Sequence, residues 1–250
     1  MEGKVLADAV QRLREGRILV LTGAGISVDS GIPDFRSRGG LWERYSIEEY
    51  ATLDAFKADP RKVWKLFREL ESSFGTVKPN AGHVALARLE AAGLVSGVVT
   101  QNIDGLHQAA GSKTVVEYHG STQRMTCLGC GKSVAAADAE RDGEGVPLCA
   151  CGEVMKPDVI LFGEMIPYDA LRKGRELADG ARTCLVCGTS ALVHPAAGIP
   201  ERAREAGADV IEVNLERTPL TERATRFFLQ GSTTDVLPAL ADAVLGARER

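Results

Sequence analysis

The sequence predicts an α/β fold in which helices cover both faces of a parallel β-sheet. Three observations support this. Near-continuous apolar runs of strand length alternate with amphipathic segments, a pattern typical of parallel sheets whose strands are buried on both faces. Glycine-rich or polar loops follow several of these runs. The chain has 250 residues, 44% of them hydrophobic, which suffices for one substantial core and a smaller module.

Strands and helices follow from these apolar patterns. We predict strands at Ile18–Leu21, Val95–Thr100, Val115–Tyr118, Val159–Phe162, Thr183–Val186 and Asp209–Val213. We predict helices at Val5–Leu13, Val84–Ala92, Tyr168–Ala178, Pro200–Ala206 and Asp235–Leu245. Glycines such as Gly16, Gly93 and Gly207 end three of these helices.

Two segments interrupt the alternation. Residues 40–79 contain helix-like runs and both tryptophans but no strand pattern. Residues 127–156 are rich in glycine and cysteine and show no sustained periodicity. We predict that both are insertions that together build a second, smaller lobe.

Composition excludes several classes of protein. The formal net charge is −4 with acids and bases interspersed, which disfavours direct nucleic-acid binding. No apolar run approaches the roughly 18 residues of a membrane span, and acidic residues occupy the N-terminal stretch where a signal peptide is apolar. We therefore expect an intracellular protein whose six cysteines are metal ligands or core residues and not disulfides.

The loop after the first strand contains Gly23 and Gly25. Glycine there lets backbone N–H groups approach a phosphate closely. The pattern lacks the third glycine of the usual dinucleotide fingerprint. The glycines alone therefore fit a tight turn at the end of the strand as well as they fit a phosphate site. The donors and charges that follow, which include Ser27, Asp34 and Arg36, favour a ligand site.

Polar groups also follow the second strand, at Gln101, Asn102 and Asp104. Ligand sites of open α/β sheets lie at the carboxyl ends of strands. Asn102 can both donate and accept, and an ionised Asp104 accepts only, so both suit a ribose or a carboxamide. In isolation, an Asx turn that ends the strand would explain these residues.

The chain has four histidines, and His119 is a candidate general base, although by pattern alone a lone histidine is more often structural than catalytic. It follows the apolar run 115–118 and precedes Gly120, which places it at a strand end with room beside it. An ordinary histidine pKa of about 6.5 suits proton transfer near neutral pH. His83 fits the first turn of a helix and His194 a turn, and by pattern alone a structural role is open for each.

Four cysteines, Cys127, Cys130, Cys149 and Cys151, predict a structural zinc site. Their C-x-x-C and C-x-C pairs are separated by a loop-like segment, and a closed set of four thiolates suits tetrahedral Zn²⁺. Cys184 and Cys187 instead lie within a predicted strand, where residues three apart point to opposite faces, so they should pack in the core.

The ordered motifs resemble those of the sirtuins, a family of NAD-dependent protein lysine deacylases, over nearly the whole chain. The matching segments are Gly23–Arg36, Gly40–Trp42, Pro79–His83, Thr100–His107, His119-Gly120, the four cysteines, Lys156–Glu164, Gly188–Ser190 and Asn214–Glu216.

The resemblance implies a Rossmann-like domain and a small lobe made of a zinc module and a helical module. We expect the Rossmann-like NAD-binding domain to comprise residues 1–36, 81–120 and 157–250. The helical module would span residues 37–80 and the zinc-binding module residues 121–156.

The resemblance also implies the site residues. His119 and Asn102 would be catalytic. The NAD-binding residues would be Gly23, Ala24, Asp34, Phe35, Arg36, Gln101, Asn102, Asp104, Gly188, Ser190, Asn214, Glu216 and Thr233. The residues that pair with an extended acyl-lysine peptide would be Val159, Phe162, Gly163 and Glu164.

In the chemistry that the resemblance implies, the acyl oxygen attacks C1′ of the nicotinamide ribose and nicotinamide leaves. His119 then removes a proton from the ribose diol, and the products are free lysine and O-acyl-ADP-ribose. Relatives that remove acidic acyl groups carry a Tyr-x-x-Arg pair in the helical module. Phe67 and Leu70 occupy those positions here, which predicts a neutral acyl group, acetyl first.

Three alternatives compete with deacetylation: mono-ADP-ribosyl transfer at the same NAD site, NAD-dependent oxidoreduction, and a non-catalytic module that binds NAD or ADP-ribose. The missing third glycine disfavours the oxidoreductase. We further expect a cytoplasmic monomer with acetyl-lysine proteins as partners and no contact with membranes.

Overall fold

The computed structural model describes residues 3–35, 40–74 and 77–246, which form two compact units. We call Met1–Ile32, Lys78–Tyr118 and Pro167–Arg250 the sheet unit, and Pro33–Val77 and His119–Ile166 the small unit. The strands are β1 (Ile18–Thr22), β2 (Val95–Thr100), β3 (Val115–Glu117), β4 (Gly120–Cys127), β5 (Ser133–Ala135), β6 (Met155–Val159), β7 (Thr183–Cys187), β8 (Asp209–Asn214) and β9 (Phe227–Gln230). The helices are α1 (Gly3–Arg14), α2 (Leu41–Arg44), α3 (Ile47–Tyr50), α4 (Leu53–Ala58), α5 (Pro60–Phe74), α6 (Ala81–Ala91), α7 (Leu106–Ala109), α8 (Tyr168–Gly180), α9 (Ile199–Glu205), α10 (Pro219–Arg223) and α11 (Thr233–Leu245).

The sheet unit is built on a six-stranded parallel sheet with the strand order β3-β2-β1-β7-β8-β9. Every residue of β1 and of β7 is buried, as the unbroken apolar runs predict. The order reverses between β1 and β7, because the chain builds one half of the sheet to one side of β1 and the other half beyond β7. Open α/β sheets bind ligands at such a reversal, just beyond the carboxyl ends of the strands.

Helices cover both faces of this sheet. On one face, α1, α6 and α11 pack on a core that includes Val20, Val98 and Leu185. On the other face, α8 contacts β2 and β3 while α9 contacts β7 and β8. No helix in the described part of the chain combines the length and apolarity needed to cross a membrane.

The small unit contains three short helices, α2 to α4, the 15-residue helix α5 and a three-stranded antiparallel sheet of order β5-β4-β6. Trp64 of α5 is fully buried and its Nε1 donates a 2.8 Å hydrogen bond to the carbonyl of Met155 in β6. Arg141 stacks over the Trp64 ring at 5.5 Å and pairs with Glu71 of α5. These contacts tie the helical part of the unit to its sheet.

The strand predicted at Val159–Phe162 is wrong in its bounds and in its sheet. The strand there is Met155–Val159, and it pairs antiparallel with β4 in the small unit. Phe162 lies beyond its end, where its backbone pairs with Ala51 and Leu53. Pro157 lies inside β6 and removes a backbone donor, which an edge strand tolerates. The described residues of 40–79 contain no strand, as predicted.

Candidate active site

At the point where the strand order reverses, the loops after β1 and β7 touch through glycines. The amide of Gly25 donates a 2.9 Å hydrogen bond to the carbonyl of Gly188. Gly188 has a left-handed φ of +58°, and a Cβ added there would lie 2.4 Å from the backbone nitrogen of Ile26. A Cβ on Gly25 would lie 2.7 Å from the Gly188 carbonyl oxygen. Glycine is therefore required at both positions, because the backbones of the two loops touch there.

Ser27, in the loop after β1, is the centre of a polar cluster. Its hydroxyl donates to Oδ2 of Asp104 at 2.7 Å and accepts from Nδ2 of Asn102 at 3.1 Å. Nε2 of His83 lies 3.4 Å from the same oxygen. Ser27 is fully buried and Asn102 is 7% exposed, so these bonds fix both side chains. The predicted pair Asn102 and Asp104 is thus held by one hydroxyl from the glycine loop.

A second set of hydrogen bonds supports this cluster from the sheet. Thr22 donates to Thr100 at 2.9 Å, and Thr100 Oγ1 accepts the backbone N–H of Asn102 at 3.1 Å. Nε2 of His107 lies 2.9 Å from Thr22 Oγ1, and because Thr22 donates to Thr100, this nitrogen carries the proton. Gln101 Nε2 donates to Thr22 O and to Thr189 Oγ1. The ends of β1, β2 and β7 are therefore linked through side chains.

Burial keeps both histidines of this region neutral. Burial lowers the pKa of His107 to about 3, and the neighbouring His83 adds a smaller decrease. Nδ1 of His107 is buried without a partner among the described residues, so a proton there would have no acceptor. Burial also lowers the pKa of His83, to about 4, against an opposing effect of the Asp104 carboxylate.

Sequence reasoning gave His83 only a structural role. The structure confirms the first-turn position, because Asn80 caps α6 and His83 reciprocates as the third residue of the helix. The same turn, however, brings Nε2 of His83 to Ser27. The Asn80-x-x-His83 capping pattern was visible in the sequence, but the contact with Ser27, 56 residues away, was not.

At the carboxyl end of the neighbouring strand β8, Nδ2 of Asn214 donates to the carbonyl of Thr189 at 2.9 Å, next to Ser190. Glu216 follows in the same exposed loop. Two residues before Asn214, Glu212 is fully buried, and its carboxylate accepts hydrogen bonds from three threonine hydroxyls in and next to α10. These donors are Thr218 (2.7 Å), Thr221 (2.7 Å) and Thr225 (2.9 Å). The carboxylate thus fixes the segment that follows Asn214.

Two further predicted residues of the sheet unit lie at loop and helix starts. Ala24 begins the short 3₁₀ turn after Gly23. Thr233 is the first residue of α11, is buried, and places its carbonyl against Gly82 at the start of α6, where a Cβ would lie 3.1 Å away.

The remaining predicted NAD residues and the predicted base belong to the small unit. The carbonyl of Asp34 accepts the backbone N–H of Leu41 at 3.1 Å, and the Phe35 ring lies 5.1 Å from the Trp42 ring. Arg36 lies outside the described residues. His119 is half-buried directly before β4, and its carbonyl accepts the backbone N–H of Ile160 at 2.9 Å.

The predicted peptide-pairing residues lie at the end of β6 and in the turn after it. Phe162 is 41% exposed, but its N–H donates to the carbonyl of Ala51 and its C=O accepts from the N–H of Leu53. Val159 pairs with Gly120 in the small sheet. Glu164 closes the turn with a 3.0 Å bond from its N–H to the Leu161 carbonyl. Gly163, with φ +89°, makes no backbone hydrogen bond to another described residue.

The four predicted cysteines of the small unit come together, with all four Sγ atoms within 4.8 Å of one another. The Sγ atoms of Cys127 and Cys151, and those of Cys130 and Cys149, are 3.5 Å apart. Four sulfurs at a Zn–S distance of about 2.3 Å lie about 3.8 Å apart in a tetrahedron, so the cluster fits one Zn²⁺ with no ligand position left open. The backbone N–H of Cys130 helps to lower the pKa of the Cys127 thiol to about 7, which favours the thiolate that a metal needs.

Cys184 and Cys187 pack in the core, as predicted. Both are fully buried, and burial raises the pKa of Cys184 to about 12 and raises that of Cys187 further. They are core residues of β7.

Comparison with known proteins identifies the family. The model of the Sir2 family matches residues 23–195, which include the glycine loop, the Asn102–Asp104 segment, His119 and the four cysteines. The chain belongs to the Sir2 family. This confirms the sirtuin resemblance, and the four-cysteine cluster is compatible with the expected zinc module.

Two curated Sir2 relatives match most of the chain. "NAD-dependent protein deacylase 2" of Pyrobaculum aerophilum is 50% identical over 227 residues, 90% of each chain. "NAD-dependent protein deacylase" of Pyrococcus furiosus is 43% identical over 231 residues, 90% of this chain and 92% of its own. These names favour deacylation over mono-ADP-ribosyl transfer.

Solved Sir2 structures share the whole fold. The crystal structure of a Sir2 homologue in complex with NAD has a TM-score of 0.89 at 38% identity, covering 96% of this chain and 94% of its own. A Sir2 complex with a p53 peptide and NAD⁺ has a TM-score of 0.85 at 35% identity, covering 96% and 98%.

Proposed function

We propose that this Sir2 protein is an NAD-dependent protein lysine deacylase that prefers acetyl groups and transfers them to ADP-ribose. The observation that carries the proposal is the Ser27 cluster. It holds a carboxamide and a carboxylate at the strand ends where the glycine loops of β1 and β7 meet. The names of the relatives and the NAD-bound neighbour support NAD as the cosubstrate.

Within this proposal the chain's residues take the following roles. The glycine loops accept the phosphates, and Gln101, Asn102 and Asp104 hold the nicotinamide ribose and carboxamide. His119 accepts a proton from the ribose diol. The adenosine end of NAD is bound by Gly188, Ser190, Asn214, Glu216 and Thr233. Its phosphates are also bound by Asp34, Phe35 and Arg36. One Zn²⁺ on the four cysteines stabilises the small unit and takes no part in the chemistry.

The buried apolar side chains of α5 support a preference for a neutral acyl group. Phe67 and Leu70 are 3% and 4% exposed, and the Phe67 ring packs 5.4 Å from that of Trp64. Arg68, the basic residue between them, instead donates to the backbone carbonyl of Glu144. An acidic acyl group among Phe67 and Leu70 would be buried without a cationic partner, which is costly.

The test measures nicotinamide release from NAD with an acetyl-lysine peptide, a succinyl-lysine peptide and no peptide. We expect release that depends on the acetyl peptide and that His119→Ala and Asn102→Ala abolish. His194→Gln, at an exposed histidine outside the proposed site, serves as the matched control and should keep activity.

Other outcomes would contradict the proposal. Nicotinamide release with the succinyl peptide but not with the acetyl peptide would refute the interpretation that Phe67 and Leu70 favour a neutral acyl group. Label from NAD that stays on protein would indicate ADP-ribosyl transfer. The monomeric state, the cytoplasmic location, acetyl-lysine proteins as partners and the lack of nucleic-acid binding stay predictions.

A further inference from the structure

A lysine is buried beside the segment that follows β6. Lys156 is 5% exposed, which is rare for an ammonium group unless its charge and donors are satisfied. Nζ donates to the carbonyls of Pro157 (3.0 Å) and Val159 (2.7 Å) and to Oε2 of Glu164 (3.1 Å). All three ammonium donors are therefore used within nine residues of chain.

The partner carboxylate is turned into the small unit. The Glu164 side chain is 17% exposed, and the Oε2 atom that binds Lys156 also accepts the backbone N–H of Leu161 at 2.7 Å. In return, the N–H of Glu164 donates to the Leu161 carbonyl. These two reciprocal bonds close the turn that contains Phe162 and Gly163.

The predicted peptide-pairing residues lie between Val159 and Glu164, and we call this segment the peptide edge. The ion pair therefore connects both of its ends. Lys156 holds the Val159 carbonyl at its start, and Glu164 holds the Leu161 amide from its end. The backbone of Phe162 is meanwhile fixed to Ala51 and Leu53. The position of Gly163, whose backbone makes no such bond among the described residues, depends on these neighbours.

We propose that Lys156 and Glu164 are positioning residues for the acyl-lysine peptide. Their buried ion pair fixes the turn 159–164, and Glu164 acts through Lys156 and Leu161 and not by contact with the peptide. This inference rests on the function proposed above, and it revises the direct peptide-binding role that the sequence suggested for Glu164.

The test is a double-mutant cycle with Lys156→Met, Glu164→Gln and the double variant. We call the Lys156–Glu164 ion pair the clamp. If it positions the peptide, each single change should raise the KM for the acetyl-lysine peptide at least about tenfold, a factor equal to roughly 1.4 kcal/mol. The KM for NAD should stay within about twofold. The double variant should be no worse than the poorer single variant, because the two residues act as one unit. Glu144→Gln is the matched control, since its 3.2 Å pair with Arg61 lies in the same unit but is exposed.

Three outcomes would overturn the inference. If Glu164 touches the peptide, Glu164→Gln will raise the peptide KM and Lys156→Met will not. If the effects multiply in the double variant, the residues act independently. If the KM values for NAD and peptide rise together, the pair supports the fold in general and not the peptide edge.

A second readout does not depend on turnover. We expect hydrogen exchange at the Leu161 amide to be at least about tenfold faster in Lys156→Met than in the wild type and unchanged in Glu144→Gln. Unchanged exchange in Lys156→Met would refute the clamp. A wild-type protein with a protected Leu161 amide but no acyl-lysine turnover would refute the proposed function and leave the clamp intact.

Discussion

The neutral, buried His107 makes the stability of the protein depend on pH in a way that one substitution can isolate. Its folded pKa of about 3 lies below an unfolded value of about 6.5. As the pH falls through 6.5, the unfolded chain binds a proton that the folded chain rejects. The contribution is therefore complete above pH 6.5 and is lost as the pH falls toward 3.

The size of the effect follows from the two pKa values. Between pH 8 and pH 5, linkage gives a loss of about 2 kcal/mol in the free energy of unfolding for this one group. Because the folded pKa lies well below pH 5, this figure depends mainly on the unfolded value. His83, whose pKa is about 4, adds a similar loss in the wild type.

The assay is urea unfolding followed by circular dichroism at pH 8, 6.5 and 5, on the wild type and on His107→Gln. The variant should be less stable at pH 8, because it loses the packing and the Thr22 contact of the imidazole. The gap between the two proteins should narrow by about 2 kcal/mol at pH 5. Zinc loss at low pH affects both proteins equally and cancels in the comparison.

His194→Gln, at an exposed histidine, is the matched control and should follow the wild-type pH dependence. If the stabilities of wild type and His107→Gln fall in parallel from pH 8 to pH 5, then His107 is not held neutral. The account of its unpartnered Nδ1 would then be wrong.

Three other changes have defined outcomes. Cys149→Ser should lower the zinc content below one ion per chain, measured by elemental analysis, whereas Cys184→Ser should leave it unchanged; full zinc in Cys149→Ser would contradict the four-thiolate site. Glu212→Ala should lower the free energy of unfolding by roughly 2–4 kcal/mol in chemical denaturation, because three threonine hydroxyls, one of them on the buried Thr221, lose their acceptor; a loss under about 0.5 kcal/mol would show that they find other partners. Gly188→Ala should weaken NAD binding at least about tenfold in calorimetry, because its Cβ would strike the loop after β1 and its backbone is left-handed. Gly207→Ala, also at a positive φ but with open space around it, is the control, and equal NAD affinities in the two variants would contradict this reasoning.

The sequence predicted five strands of the six-stranded sheet but missed its edge strand β9 and the strand β4 at the centre of the small sheet. Strands such as β1 and β7 are buried on both faces, so their apolar runs are continuous and easy to recognise. In contrast, β4 reads as a polar segment because several of its residues face solvent, and β9 has only four residues, two of them half-buried. Their strand character comes from pairing with distant segments, which local patterns do not contain.

The candidate site shows the same division. Asn102 and Asp104 could be selected because they follow an apolar strand directly. Their attachment to Ser27 joins positions at least 75 residues apart, and no local pattern reveals it. His83 was assigned to a helix start correctly, yet its second contact depends on how α6 packs. Glu164 was expected at the peptide edge, and only side-chain coordinates reveal that its carboxylate binds Lys156.

The central position of β1 has a consequence for how the chain is made. This strand is synthesised before both of its neighbours, and the second of them, β7, follows about 165 residues later. Until then, Ile18–Thr22 presents an apolar edge with unpaired backbone groups, the feature that promotes association between unfinished chains. Because contacts of such long sequence separation form slowly, folding should be slow relative to helical proteins of this size. Yield of native protein should therefore depend on whether the ribosome or a chaperone shields β1 until β7 emerges.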